Sequence, residues 1–125
     1  MLAEGLIRLG VITQNLDEAL DMKSGQLKDW YMHNTSHWIG LDVHDVGVYL
    51  PDGKPRLLES GMCLTVEPGL YFGAWRPDVV CPERYANIGI RIEDDILVTD
   101  DGPVVLTDKC PKTIDEIEYI IGKTV

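Results

Sequence analysis

Apolar and polar positions along the chain change period several times, and each change marks an element. In L-A-E-G-L-I-R-L-G-V-I, residues 2–12, Leu2, Leu6, Ile7 and Leu9 recur at roughly helical spacing. This predicts a helix ending at Gly10, glycine being favoured just past a helix C-terminus. A second amphipathic stretch, from Asp17 to Trp30, carries Leu20, Leu27 and Trp30 and is interrupted at Ser24-Gly25. It is expected to break into short helices. No capping residue precedes the first helix, so the chain is expected to be a piece of a longer one.

Pro51-Asp52-Gly53-Lys54-Pro55 has the composition of a turn. Met62 to Phe72 is a run of strand formers broken only at Glu67-Pro68-Gly69. Proline cannot donate to a ladder, so that point is an edge, bend or bulge. Gly73 to Ala86, with Trp75, Pro77, Cys81 and Pro82, reads as a long connecting loop. From Ile88 to Thr99 the pattern alternates, predicting one strand with Ile88, Ile90 and Ile92 on one side and Gly89, Arg91 and Glu93 on the other. Asp100-Asp101-Gly102 predicts a hairpin turn into Val104-Val105-Leu106. Thr113 followed by Glu116 fits a capping box, and Ile114, Ile117 and Ile121 predict the buried stripe of a last helix. No repeat or linker is visible, which points to one domain over residues 1–125.

With 125 residues, 45% hydrophobic and 26% charged, the chain can bury a core and is not of disordered composition. Its 11 basic and 21 acidic residues, net charge -10, argue against nucleic acid or an anionic membrane as a partner. No apolar run approaches the ~18 residues of a membrane span. Cys63, Cys81 and Cys110 are odd in number and lack C-x-x-C spacing. They suit free thiols in a reducing compartment, so the expected location is cytoplasmic.

All three histidines fall within H-N-T-S-H-W-I-G-L-D-V-H-D-V-G, at positions 33, 37 and 44. On a helix they would share a face within about 40°. However, Asn34-Thr35-Ser36, Gly40, Val43 and Gly47 disfavour helix, and Asn34 stands where the helical zinc motif H-E-x-x-H needs glutamate. An extended or looped segment is expected instead, bent at Gly40. T-V-E-P-G around Glu67 and I-R-I-E-D-D around Glu93 each set a carboxylate in an apolar, β-prone run, where an unpaired charge is costly. One histidine and two glutamates brought together by folding would make a metal site suited to manganese, zinc, cobalt or iron(II). Arg91, on the expected strand face of Glu93, reads either as a salt-bridge partner on a solvated sheet or as a charge-balancing cation beside that site.

H-x-x-S-H-W-x-G-L-D-V-H-D-V-G, then L-T-V-E-P-G-L-Y, then G-I-R-I-E-D-D-I-L-V-T, and finally C-P-K-T-I-D-E-I-E, resembles the C-terminal part of aminopeptidase P. That family belongs to the pita-bread metallopeptidases, with prolidase and methionine aminopeptidase as relatives. The resemblance implies an α+β, partial pita-bread fold: a mostly antiparallel curved sheet with flanking helices, the C-terminal portion of a catalytic domain. It also implies two divalent ions, manganese by preference, and hydrolysis of the bond between an N-terminal residue and a following proline. The implied partners are therefore peptides with proline in second position.

Residue by residue, His37 resembles the family's histidine ligand. Glu67 resembles a ligand that also serves as general base toward the attacking water, and Glu93 resembles the carboxylate shared by both ions. His44 resembles the histidine that stabilises the tetrahedral intermediate, a role worth about 3–4 kcal/mol of barrier. His33 resembles a second substrate-side histidine, and Tyr71 and Arg91 resemble residues close to substrate or ligands.

The sequence departs from the family's pattern at Asn34, where glycine is usual, and in lacking two aspartates that complete the metal site upstream. Alone, the chain is expected to bind one ion or none, to be inactive, and to expose an apolar sheet that favours a homo-oligomer. Prolidase is the alternative activity, and a non-catalytic peptide-binding relative the alternative class. The retained His37, Glu67 and Glu93 weigh against the latter.

Overall fold

The structure is a computed structural model that describes residues 1–73 and 78–122. Trp75 and Pro77 of the expected loop lie outside the described residues. The chain divides into two compact units, each assembled from two separate segments.

The first unit comprises residues 1–34 and 68–91. It opens with α1 (Leu2–Arg8), closed by Leu9 and a Gly10 at φ +69°, a backbone that glycine adopts without strain. Leu6 is buried while Leu9 is 47% exposed, so Leu9 leaves the expected stripe. The second amphipathic stretch does break, into α2 (Leu16–Ala19) and a 3-10 turn at Gln26–Asp29. Asn15 caps α2 through a reciprocal box with Glu18. Gly25 is required at the break, because a Cβ there would come within 2.3 Å of the Ala19 carbonyl. Leu6, Ile12, Ala19, Trp30 and Phe72 form the core, with the Trp30 and Phe72 rings 5.1 Å apart. Against it lies a two-stranded antiparallel sheet of β2 (Gly69–Phe72) and β3 (Ile88–Arg91).

The second unit comprises residues 35–67 and 92–125. β1 (Cys63–Val66), β4 (Asp94–Thr99) and β5 (Gly102–Val105) form an antiparallel sheet in the order β1-β4-β5. The hairpin turn falls where expected, with Thr99 opposite Gly102 at φ +118°. The histidine stretch is extended here. Residues 35–39 lie along the free edge of β1, with Glu67 N–H donating to Thr35 O, Thr65 N–H to His37 O and Ile39 N–H to Cys63 O. The last helix, α3 (Ile114–Ile120), has the expected Thr113–Glu116 capping box. A clasp from Lys112 Nζ to Asp94 Oδ1, at 2.7 Å, ties the segment before α3 to β4.

Two expectations are corrected. Ile88 to Thr99 is not one strand: pairing stops after Arg91 and resumes at Asp94 in a different sheet. Arg91 and Glu93 therefore do not share a strand face, because Ile92-Glu93 is the crossover between sheets. The isoleucines of α3 form no buried stripe either. Ile114, Ile117 and Ile121 are 75%, 38% and 72% exposed, the apolar face of an amphipathic helix that nothing described in its unit covers. No helix among the described residues is long and apolar enough to cross a membrane.

Candidate metal centre

β1 alternates. Thr65 is 1% exposed and Glu67 7%, while Val66 between them faces out at 39%. Thr65 and Glu67 thus share one face, and they are the buried polar residues among those described. On the edge segment, His37 pairs with Thr65, so its ring lies diagonally across from Glu67 and brings Nε2 to 3.1 Å from Glu67 Oε1. On the other side, Val66 pairs with Asp94, and one further step of that register sets Glu67 opposite Glu93. Two ladders thus deliver a histidine and a second carboxylate to one buried glutamate.

Ligand atoms of His37, Glu67 and Glu93 all lie within 4.8 Å of one another. One ion held at about 2.0–2.2 Å by each needs separations up to about 4.4 Å, so a small side-chain rotation closes the set. His37 Nδ1 is 3.1 Å from the Trp38 carbonyl, which can only accept, so Nδ1 carries a proton. Nε2 then either donates to Glu67 as an imidazolium or turns a lone pair toward a shared cation. The donor set, one imidazole and two carboxylates with the histidine's other nitrogen engaged, fits a divalent ion.

His44 stands beside this group, its ring 4.3 Å from that of His37 and edge-on to it. The loop carrying it is pinned by Trp38. The indole stacks on Tyr49 at 5.3 Å, Tyr49 Oη accepts from Trp38 N–H, and Gly47 lies flat against the indole. The Asp45 carboxylate accepts from Leu41 N–H and fills the space a side chain at Gly40 would need.

In the first unit, the remaining candidates form a chain of hydrogen bonds. Arg91 Nε donates to Tyr71 Oη at 2.7 Å, Tyr71 Oη lies 3.0 Å from His33 Nε2, and His33 Nδ1 lies 2.7 Å from the Asn34 carbonyl. The carbonyl end places a proton on Nδ1, and Tyr71 Oη, which accepts from Arg91, meets Nε2 at the other side of the ring. The sequence candidates thus separate into His37, His44, Glu67 and Glu93 in one unit and His33, Tyr71 and Arg91 in the other.

The family model for metallopeptidase family M24 matches residues 2–100. The chain belongs to metallopeptidase family M24. This M24 chain is 47% identical over 121 residues to Xaa-Pro aminopeptidase of Escherichia coli and 44% identical over 119 residues to that of Haemophilus influenzae. Those alignments cover 97% and 95% of the chain but 26% of each relative. Among solved structures, the aminopeptidase PepP of Pseudomonas aeruginosa superposes with a TM-score of 0.83 at 45% identity. A zinc-substituted Escherichia coli aminopeptidase P in complex with product gives 0.81 at 48%. Each comparison covers 94% of the chain and 26% of the other. The M24 chain therefore has the α+β, pita-bread-like fold of aminopeptidase P over its length, and it spans about a quarter of the relatives it matches.

One residue of the site was passed over in the sequence. Thr65 touches both His37 and Glu67, accepting from His37 N–H at 3.0 Å and reaching Glu67 Oε1 at 3.0 Å. The available signal was its spacing, two residues before Glu67 in a strand, and hence on the same face.

Proposed function

We propose that this chain is the C-terminal portion of the catalytic domain of an Xaa-Pro aminopeptidase, contributing part of a two-metal centre that removes the residue ahead of proline from peptides. The observation that carries the reading is the convergence of His37, Glu67 and Glu93 in a chain of family M24. These three would hold one divalent ion, with Glu93 shared with a second. By the resemblance, upstream aspartates complete both positions. Manganese is the proposed metal and the cytoplasm the proposed location. The bound ions would supply Lewis acidity at the scissile carbonyl.

The chain's own residues would do the rest. Glu67 takes the proton of the attacking water. His44 donates a hydrogen bond to the developing oxyanion, and such donors act most strongly where charge appears only in the transition state. By the resemblance, His33, Tyr71 and Arg91 would orient the peptide.

Metal analysis and X-Pro peptide hydrolysis, run side by side on the complete enzyme and on this chain, test the reading. The complete enzyme should carry two ions and cleave X-Pro peptides, while the chain alone should hold at most one ion and turn over none. Two tight ions per chain, or cleavage at the rate of the complete enzyme, would overturn the need for upstream aspartates. Preference of the complete enzyme for X-Pro dipeptides over longer peptides would replace the assignment with prolidase.

A further inference from the structure

Burial and β propensity at position 65 would be served as well by valine, which has the shape of threonine without the hydroxyl. A buried hydroxyl is costly unless it is hydrogen-bonded, and this one is bonded on both sides. A hydrogen-bonded antiparallel pair exchanges two backbone bonds. Between His37 and Thr65 one is present, from Thr65 N–H to His37 O, while His37 N–H goes instead to Thr65 Oγ1. Because Oγ1 accepts there, its one proton is directed at Glu67 Oε1, 3.0 Å away. The oxygen that receives it is the one 3.1 Å from His37 Nε2. The hydroxyl thus fixes the backbone of one metal-ligand candidate and the carboxylate of the other.

We infer that Thr65 is a positioning residue whose hydroxyl locks the Glu67 carboxylate beside His37 in the orientation a divalent ion requires. The inference rests on the metal-centre reading above. It assigns the hydroxyl, rather than the methyl or the bulk of the side chain, as the working group.

Cobalt(II) is the probe, titrated into the chain and its Thr65→Ser, Thr65→Ala and Thr65→Val variants, with affinity and the visible absorption band recorded. Thermal unfolding without metal establishes which variants are folded. Thr65→Ser should bind as the native chain does, with the same band. Thr65→Ala and Thr65→Val should bind about ten-fold more weakly or worse, with an altered band, as is typical when a partner that orients a ligand is lost. Native affinity in Ala and Val overturns the inference, as does a Ser variant as weak as Ala, which would make the methyl group responsible. Should Ala and Val not fold, the native chain decides by NMR. A Thr65 hydroxyl proton protected from solvent exchange supports the lock, and one exchanging as freely as in an unstructured peptide overturns it. If the chain alone binds no cobalt, the same variants are compared in the complete enzyme: equal affinity in all of them overturns the inference, and a native complete enzyme that binds no metal instead fails the metal centre itself.

Discussion

Glu67 and Glu93 face one another where the β1–β4 register runs out, one step beyond the Val66–Asp94 pair. Two carboxylates placed so repel one another, and a divalent cation between them reverses the sign of the interaction. Glu93→Gln should therefore leave the metal-free chain at least as stable as the native one while abolishing stabilisation by added manganese. For the native chain that stabilisation is about 2.7 kcal/mol at an ion concentration 100 times the dissociation constant. Melting curves with and without manganese check both halves, and a destabilised metal-free Glu93→Gln would contradict the repulsion.

Ligand and oxyanion roles separate in kinetics. In the complete enzyme, His37→Ala should lower the bound metal content. His44→Ala should retain its metal and lower kcat by about 10²–10³-fold. Metal analysis beside steady-state kinetics distinguishes the two, and normal turnover in His44→Ala removes its assigned role.

Tyr71→Phe removes the acceptor of Arg91 Nε and the hydroxyl that meets His33 Nε2. Arg91 is exposed, so solvent screens its share. The expected cost is about 1 kcal/mol in urea unfolding. In the complete enzyme the variant should bind X-Pro substrate more weakly, because the orientation of His33 is no longer set from both sides.

A methyl group at Gly47 would come within 2.3 Å of Trp38 Cδ1 and 2.6 Å of Nε1. Gly47→Ala should therefore displace the indole from Tyr49, at a cost of about 1–3 kcal/mol. Tryptophan fluorescence should change, and the edge-on contact of His44 with His37 should loosen. An unchanged emission spectrum would show that the loop absorbs the methyl group without moving the indole.

The Asp94–Lys112 clasp gives a pH window. Hydrogen bonds from Lys112 and Thr107 hold the Asp94 carboxyl below its ordinary 3.8. Asp94 in turn raises Lys112 above its ordinary 10.5. A depressed acid stabilises the fold above its unfolded pKa and ceases to as pH falls through the folded one. A raised base stabilises below its unfolded pKa and ceases to as pH rises through the folded one. The native chain should therefore melt above Lys112→Met between about pH 4 and pH 10, with the gap closing on both sides. A gap independent of pH would mean that the lysine acts through its hydrocarbon stem.

Local devices were legible along the chain because their physics is local. The capping box at Thr113 and Glu116, the glycine after α1, the turn at Asp100-Asp101-Gly102 and the break at Glu67-Pro68-Gly69 each depend on neighbouring residues and appear as read. The candidates His37, Glu67 and Glu93 could be named for the same reason: a charge or an imidazole in a β-prone run stands out by composition. What needed tertiary structure was partnership. Alternation from Ile88 to Thr99 is equally compatible with one strand or two, and only the pairing of Leu70 with Ile90 and of Leu64 with Ile96 divides it between sheets. An isoleucine stripe states that a helix has an apolar face, not that anything covers it, and in α3 that face is exposed. Thr65 was invisible as a site residue because threonine is an ordinary strand former, and its hydroxyl acquires meaning only when folding sets His37 on one side and Glu67 on the other. Propensity and capping act over a few residues and can be read from them, whereas register is decided by which distant strand arrives alongside.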